Sequence, residues 1–211
     1  MIERQMRKKR KKVNLKRFIP SLLGLCIFLG GILLMVSVWQ ERTYPPPEPT
    51  EYQISYNRTE KRRNKNDIQY IVIHDTANKN RGADAAQHYH YFNTGNRRSS
   101  ADYFVDERSV LKVNDYYTYY TWHCGDGNGK NGITNQNSIG VEICVNRDGN
   151  YKRAVQNAAN LVKELMAELD VDAEHVVRHY DASGKNCPAD MQDNSWKAWL
   201  DFKKQLISEN E

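Results

Sequence analysis

A single α/β domain with a central mixed β-sheet flanked by helices, preceded by an N-terminal transmembrane helix, is the fold class the sequence predicts. Three observations carry the prediction. Short β-rich runs, such as those ending at His74 and Val145, alternate with stretches of helical period, notably 154–169 and 195–207. All of these lie after residue 66, in a length suited to one ordinary domain. Ahead of them stands Phe18–Trp39, 22 residues without a charge.

The chain opens on a basic tail. Residues 1–17 hold nine Lys/Arg and one Glu, a net charge of +8 (9 − 1), against +5 for the whole chain. The remainder is therefore −3 (5 − 8), so the basic character belongs to the tail. A nucleic-acid-binding domain would carry its own positive face, and none is expected here. The apolar run at 18–39 would reach roughly 33 Å as a helix, enough to cross a bilayer core. A cleaved signal peptide would have a shorter apolar stretch and an A-x-A-like site. This run instead ends Met35-Val36-Ser37-Val38-Trp39. It reads as a retained anchor, with the basic cluster kept cytoplasmic by the positive-inside rule and Trp39 at the outer interface. The expected localisation is a single-pass cell-membrane protein with its domain outside the cytoplasm.

Residues 40–66 read as a linker. Tyr44-Pro45-Pro46-Pro47-Glu48-Pro49 cannot continue a helix and favours an extended spacer. The charged stretch Lys61–Lys65 reads as solvated. The domain is expected over 67–211. Ile68-Gln69-Tyr70-Ile71-Val72-Ile73-His74 reads as a central strand. Ala83–Phe92 reads as a helix, with Gly95 as a stop. Tyr103–Val105 and Val110–Val113 read as an antiparallel pair joined by a tight turn. Ser138–Val145 reads as a buried strand. A helix follows over Ala154–Leu169, then a short strand over His175–His179 and a closing helix over Ser195–Ile207. Of the four cysteines, Cys26 falls in the anchor. Cys124, Cys144 and Cys187 remain, and one pair bonded would leave one thiol over.

His74 and His179 each end a predicted strand, where an α/β domain displays its site residues. His179 also opens a segment running to Cys187 and Pro188. Two imidazoles and a thiolate suit zinc, and three protein ligands leave the fourth position to water. No short ligand motif is present, and a lone strand-end histidine is more often structural than a ligand. Glu142 stands in an otherwise apolar strand, on the same face as Gly140 and Cys144. A carboxylate there is costly unless it is paired or used.

The strand ending Ile71-Val72-Ile73-His74, the run Asn137-Ser138-Ile139-Gly140-Val141-Glu142, and His179 eight positions before Cys187 together resemble the zinc-dependent N-acetylmuramoyl-L-alanine amidases. This is the family of phage lysozyme amidases and peptidoglycan recognition proteins. The resemblance covers roughly Ile68 to Ile207. It implies Zn2+ held by His74, His179 and Cys187, with Glu142 as general base and Lys185 stabilising an oxyanion. Trp122-His123-Cys124-Gly125 resembles a family segment beside the cleft, which makes His123 either a substrate contact or a plain loop histidine. Some relatives use a tyrosine near Asp102-Tyr103; here Tyr103 is expected on the opposite strand face. His88, His90 and His175 read as surface histidines of helix or strand.

The resemblance implies a membrane-anchored peptidoglycan hydrolase that cleaves the amide between the lactyl group of N-acetylmuramic acid and L-alanine, using a zinc-activated water. The rival readings are a peptidoglycan-binding module without activity and another extracytoplasmic zinc hydrolase. The presence of Cys187, Glu142 and Lys185 favours the enzyme over the binding module. The absence of H-E-x-x-H counts against the commonest zinc peptidase design.

Overall fold

A computed structural model describes residues 26–35, 46–52, 58–125, 130–193 and 195–207. The chain divides into two compact units, Met1–Pro45 and Pro46–Glu211. In the first, residues 26–35 are helical and every one is exposed. The tail 1–17 and the remainder of the expected anchor at 18–39 lie outside the described residues. Among the described residues, no helix is long and apolar enough to cross a membrane.

The second unit is built on a six-stranded mixed sheet. Its strands are β1 (Pro49–Glu51), β3 (Tyr70–Asp75), β4 (Tyr103–Val105), β5 (Val110–Lys112), β7 (Ser138–Ile143) and β8 (Val176–Arg178), in the order β1-β5-β4-β7-β3-β8. Only β4 and β5 run antiparallel; the other neighbouring pairs are parallel. A separate antiparallel pair joins β2 (Arg58–Arg62) to β6 (Tyr119–Thr121). The helices are α1 (Ala85–Phe92), α2 (Tyr151–Leu169), α3 (His179–Ser183) and α4 (Lys197–Ile207).

Strand alternation sorts the side chains into two layers. Ile71, Ile73, Ile139, Val141 and Ile143 face a core shared with Ala158 and Val162 of α2 and Phe202 of α4. The other face packs in two smaller clusters. One joins Phe104 and Cys144 to Ala85 of α1, and the other joins Val72 to Ala182 of α3. Glu142 therefore shares its face with Cys144, as the alternation in the sequence predicts. Parallel pairing sets His74 opposite Glu142 and Val72 opposite Gly140.

Element boundaries follow their caps. The helix expected from Ala83 begins at Ala85, because the Asp84 carboxylate accepts from the Gln87 amide at 2.9 Å. Asn150 does the same for α2, accepting from Arg153 N at 3.1 Å, so that helix starts three residues before the apolar period does. His179 does not end a strand. It opens α3, which stops at Gly184 in the left-handed conformation (φ 82°).

The expected linker at 40–66 is in part folded structure. Pro49–Glu51 adds β1 to the sheet edge beside β5, where the proline's missing amide is tolerated. Arg63, expected in a solvated run, is 5% exposed. Its Nε donates to the Tyr116 carbonyl at 2.6 Å, and its Nη1 donates to the carbonyls of Ser138 (2.6 Å) and Gln136 (3.2 Å). A planar guanidinium can satisfy several carbonyls from inside a fold, which makes a basic run a poor guide to exposure.

Candidate metal centre and catalytic cleft

The site forms at the C-terminal ends of β3, β7 and β8, where an open parallel sheet presents residues to a crevice. His74 sits one residue from the end of β3, and Glu142 is its partner on β7. His179 follows β8 directly, as the first residue of α3. Cys187 arrives from the loop after α3, which is tied back by Tyr180 N donating to the Cys187 carbonyl at 3.0 Å. Asp75 secures the next turn, accepting from Asp190 N at 2.9 Å.

His74, His179 and Cys187 bring one donor atom each to within 4.8 Å of one another, and all three are buried. His74 Nδ1 lies 3.8 Å from Cys187 Sγ. Two donors on one tetrahedral zinc stand roughly 3.6 Å apart, so the spacing fits. His179 Nδ1 is buried without a hydrogen-bond partner. A buried imidazole nitrogen left this way is costly, and a metal ion would relieve the cost.

The electrostatics suit a cation. Burial first, then the neighbouring His179, His123 and Lys185, hold His74 well below the usual imidazole range. Burial, Lys185 and His123 lower His179 to about 4. Both rings are neutral at neutral pH, with a lone pair each to offer. Burial, and then the Glu142 charge, push the Cys187 thiol up to about 12. A thiolate at that position needs a cation beside it.

Glu142 Oε1 lies 3.9 Å from His74 Nδ1, and with the imidazole neutral this is no ion pair. Its side chain is 19% exposed, while Oε2 is buried without a partner. Burial and then the Asp75 charge raise its carboxyl to about 8, against a lowering by Lys185. Lys185 is exposed, yet its charge acts on His74, His179, Glu142 and Cys187 alike. His74, His179, Cys187 and Glu142 thus come together, with Lys185 near enough for its charge to act on all four.

His123, the sixth residue singled out in the sequence, reaches the site through His74. It is buried at 7% exposure behind His74, with Nδ1 3.1 Å from His74 Nε2, the ring nitrogen that does not face Cys187. His88 is also buried and stacks on Phe104, which corrects its reading as a surface residue. It lines a cleft of about 390 Å3 that runs from Glu142 past Thr76, Asn80, Arg81, Gln87 and Tyr91. Asp181, two positions after His179, binds Arg178 through Nε (2.9 Å) and Nη2 (2.6 Å). Asp102 is committed to the fold, accepting from Gly140 N (2.8 Å), Thr121 Oγ1 (2.9 Å) and Asn114 Nδ2 (2.7 Å). Tyr103 packs on the α2 face. Cys124, Cys144 and Cys187 are all free thiols.

An α/β domain with a candidate metal centre at its parallel strand ends is the class that fold and site define. Residues 64–190 match the N-acetylmuramoyl-L-alanine amidase family Amidase_2, and the chain belongs to that family. It is 40% identical over 131 residues to the N-acetylmuramoyl-L-alanine amidase CwlH of Bacillus subtilis, covering 62% of this chain and 51% of that one. It is 41% identical over 137 residues to the amidase XlyA of the same organism, covering 64% and 42%. The chain thus spans about half, or less, of the length of these relatives. The solved catalytic domain of XlyA superposes with a TM-score of 0.65 at 35% identity, covering 74% of this chain and 99% of that domain. The structure of PlyL superposes with a TM-score of 0.63 at 29% identity, covering 78% and 99%.

Proposed function

We propose that this chain is a zinc-dependent N-acetylmuramoyl-L-alanine amidase, hydrolysing the amide between the lactyl group of N-acetylmuramic acid and L-alanine of peptidoglycan. The observation that carries the reading is the convergence of His74, His179 and Cys187 beside Glu142, a carboxylate with one oxygen buried and unpartnered. Membership of the amidase family supplies the substrate class.

His74, His179 and Cys187 would hold the zinc ion. When bound, zinc supplies Lewis-acid polarisation of the amide carbonyl and lowers the pKa of a water. Glu142 is the proton carrier. Burial has already brought its carboxyl toward neutrality, where a base takes and returns protons efficiently. Its carboxylate accepts the proton of the attacking water and delivers it to the nitrogen of the departing L-alanine. The products are a muramyl carboxylate and a free amine. Lys185 sets a positive charge at the mouth of the site, where an oxyanion develops during attack. The cleft leading away from Glu142 gives the substrate a place to lie.

The anchor belongs to the same proposal. An apolar run at 18–39 behind a basic tail supports a single-pass, N-in topology that holds the domain where peptidoglycan is found. The test measures the zinc content of the purified full chain together with mass-spectrometric detection of peptides released from purified cell wall. About one zinc per chain, with chelator-sensitive release of stem peptides bearing a free L-alanine amine, is the expected outcome. Zinc without cleavage would reduce the protein to a binding module. Cleavage within the stem peptide would make it a different hydrolase. Separating membrane from soluble fractions checks the anchor: full chain in the membrane, and a chain without residues 1–39 in solution.

A further inference from the structure

We propose that His123 and Ser138 form a relay that locks His74 in the tautomer presenting Nδ1 to the metal. This rests on the zinc reading above and makes His123 a positioning residue. Ser138 Oγ donates its proton to the Thr134 carbonyl. The same oxygen lies 3.2 Å from His123 Nε2. With its proton committed, the hydroxyl meets His123 as an acceptor, so Nε2 carries the hydrogen. With Nε2 carrying the only ring hydrogen, the His123 lone pair lies on Nδ1, 3.1 Å from His74 Nε2. His74 must donate from Nε2, which leaves the lone pair on Nδ1, the atom 3.8 Å from Cys187 Sγ. A metal-ligating imidazole is commonly fixed this way by what its other nitrogen meets.

The surroundings hold the relay in place. Asn135 Oδ1 accepts from the amides of both His123 (2.9 Å) and Cys124 (2.9 Å), which pins the loop. Gly140 makes room for the ring: a Cβ there would stand 2.6 Å from His123 Cγ. Neither Ser138 nor Gly140 touches the donor trio, yet both set the orientation of one of its members.

Nitrogen-resolved NMR of the zinc-free full chain, with 15N-labelled histidine, reads the tautomers directly. Nε2–H forms of both His74 and His123 are expected; a His74 carrying its proton on Nδ1 overturns the relay. Zinc competition against a chelator is the second readout. His123→Leu removes the acceptor and should weaken zinc binding by about tenfold to a hundredfold. His123→Asn keeps an oxygen near the Nδ1 position and should recover most of that loss, which a purely space-filling role would not predict. Ser138→Ala, a small change, should weaken zinc binding and mix the His123 tautomers even if the Leu variant does not fold. Zinc affinity unchanged in a folded His123→Leu chain, or His123 tautomers unmoved by Ser138→Ala, would refute the relay. A wild-type chain that takes up no zinc would remove the metal reading, while the tautomer measurement still decides the hydrogen-bond order.

Discussion

Glu142 is the side chain on which the proposed chemistry turns. It sits in a strand whose neighbours are apolar, with one oxygen buried and unpartnered, and its proton is correspondingly hard to lose. Glu142→Gln keeps the shape and removes the proposed base. It should retain zinc and lose turnover by about a hundredfold or more, and near-wild-type rates would take Glu142 out of proton transfer. The same residue predicts a pH dependence of stability. Its carboxyl rises from an ordinary 4.5 to about 8 on folding, so the native state binds that proton more tightly than the unfolded chain does. Zinc-free stability should therefore fall as pH climbs from 4.5 toward 8 and level off above it. Glu142→Gln should flatten that slope, and denaturant unfolding at several pH values would show whether it does. Cys187→Ala should abolish stable zinc binding, because a catalytic site needs its third protein ligand. Retention of one tightly held zinc in that variant would exclude Cys187 from the set.

At the scale of elements, β7 does two jobs with opposite faces. Ile139, Val141 and Ile143 build the core against α2 and α4. On the other face, Gly140 seats His123 and Glu142 faces the donor trio. Gly140→Ala tests that division. The backbone conformation accepts alanine, but the added carbon would press on a ring that cannot back away from His74 and Ser138. Overpacking of this kind should cost about 1–3 kcal/mol in stability and weaken zinc binding as well. Thermal unfolding and chelator competition on the same sample would separate the two effects, and a variant indistinguishable from wild type in both would mean the ring has room.

At the scale of the whole unit, the fold reaches back past its obvious start. Arg63 bonds to four strand-end or loop carbonyls and approaches the buried Asp102 at 4.0 Å. Burial raises the Asp102 carboxyl, and Arg63 is the first of the influences that oppose this. A chain beginning at Asp67 would lose β1, β2 and this cation together. It should be less stable than one beginning at Pro46 by about 3–5 kcal/mol, the scale of leaving a buried charge without its partner. Equal denaturation midpoints for the two chains would show that the N-terminal segment is dispensable.

Much of this molecule was legible without its structure, and for a physical reason. Alternation and helical period depend only on local order, so the strands ending at His74 and Val105, the two faces of β7 and the long helix α2 could be read directly. The family resemblance, carried by His74, the run to Glu142 and the His179–Cys187 segment, pointed to five residues that the fold brings to one place. What local order could not supply was partnership across distance. A charged run gives no sign that Arg63 turns inward to meet carbonyls from Tyr116 to Ser138, 53 to 75 residues away. A histidine in Trp122-His123-Cys124 gives no sign that its ring nitrogen meets His74 Nε2 at 3.1 Å. Those outcomes depend on which strands lie side by side and which atoms then compete for each proton, and only the tertiary structure decides that.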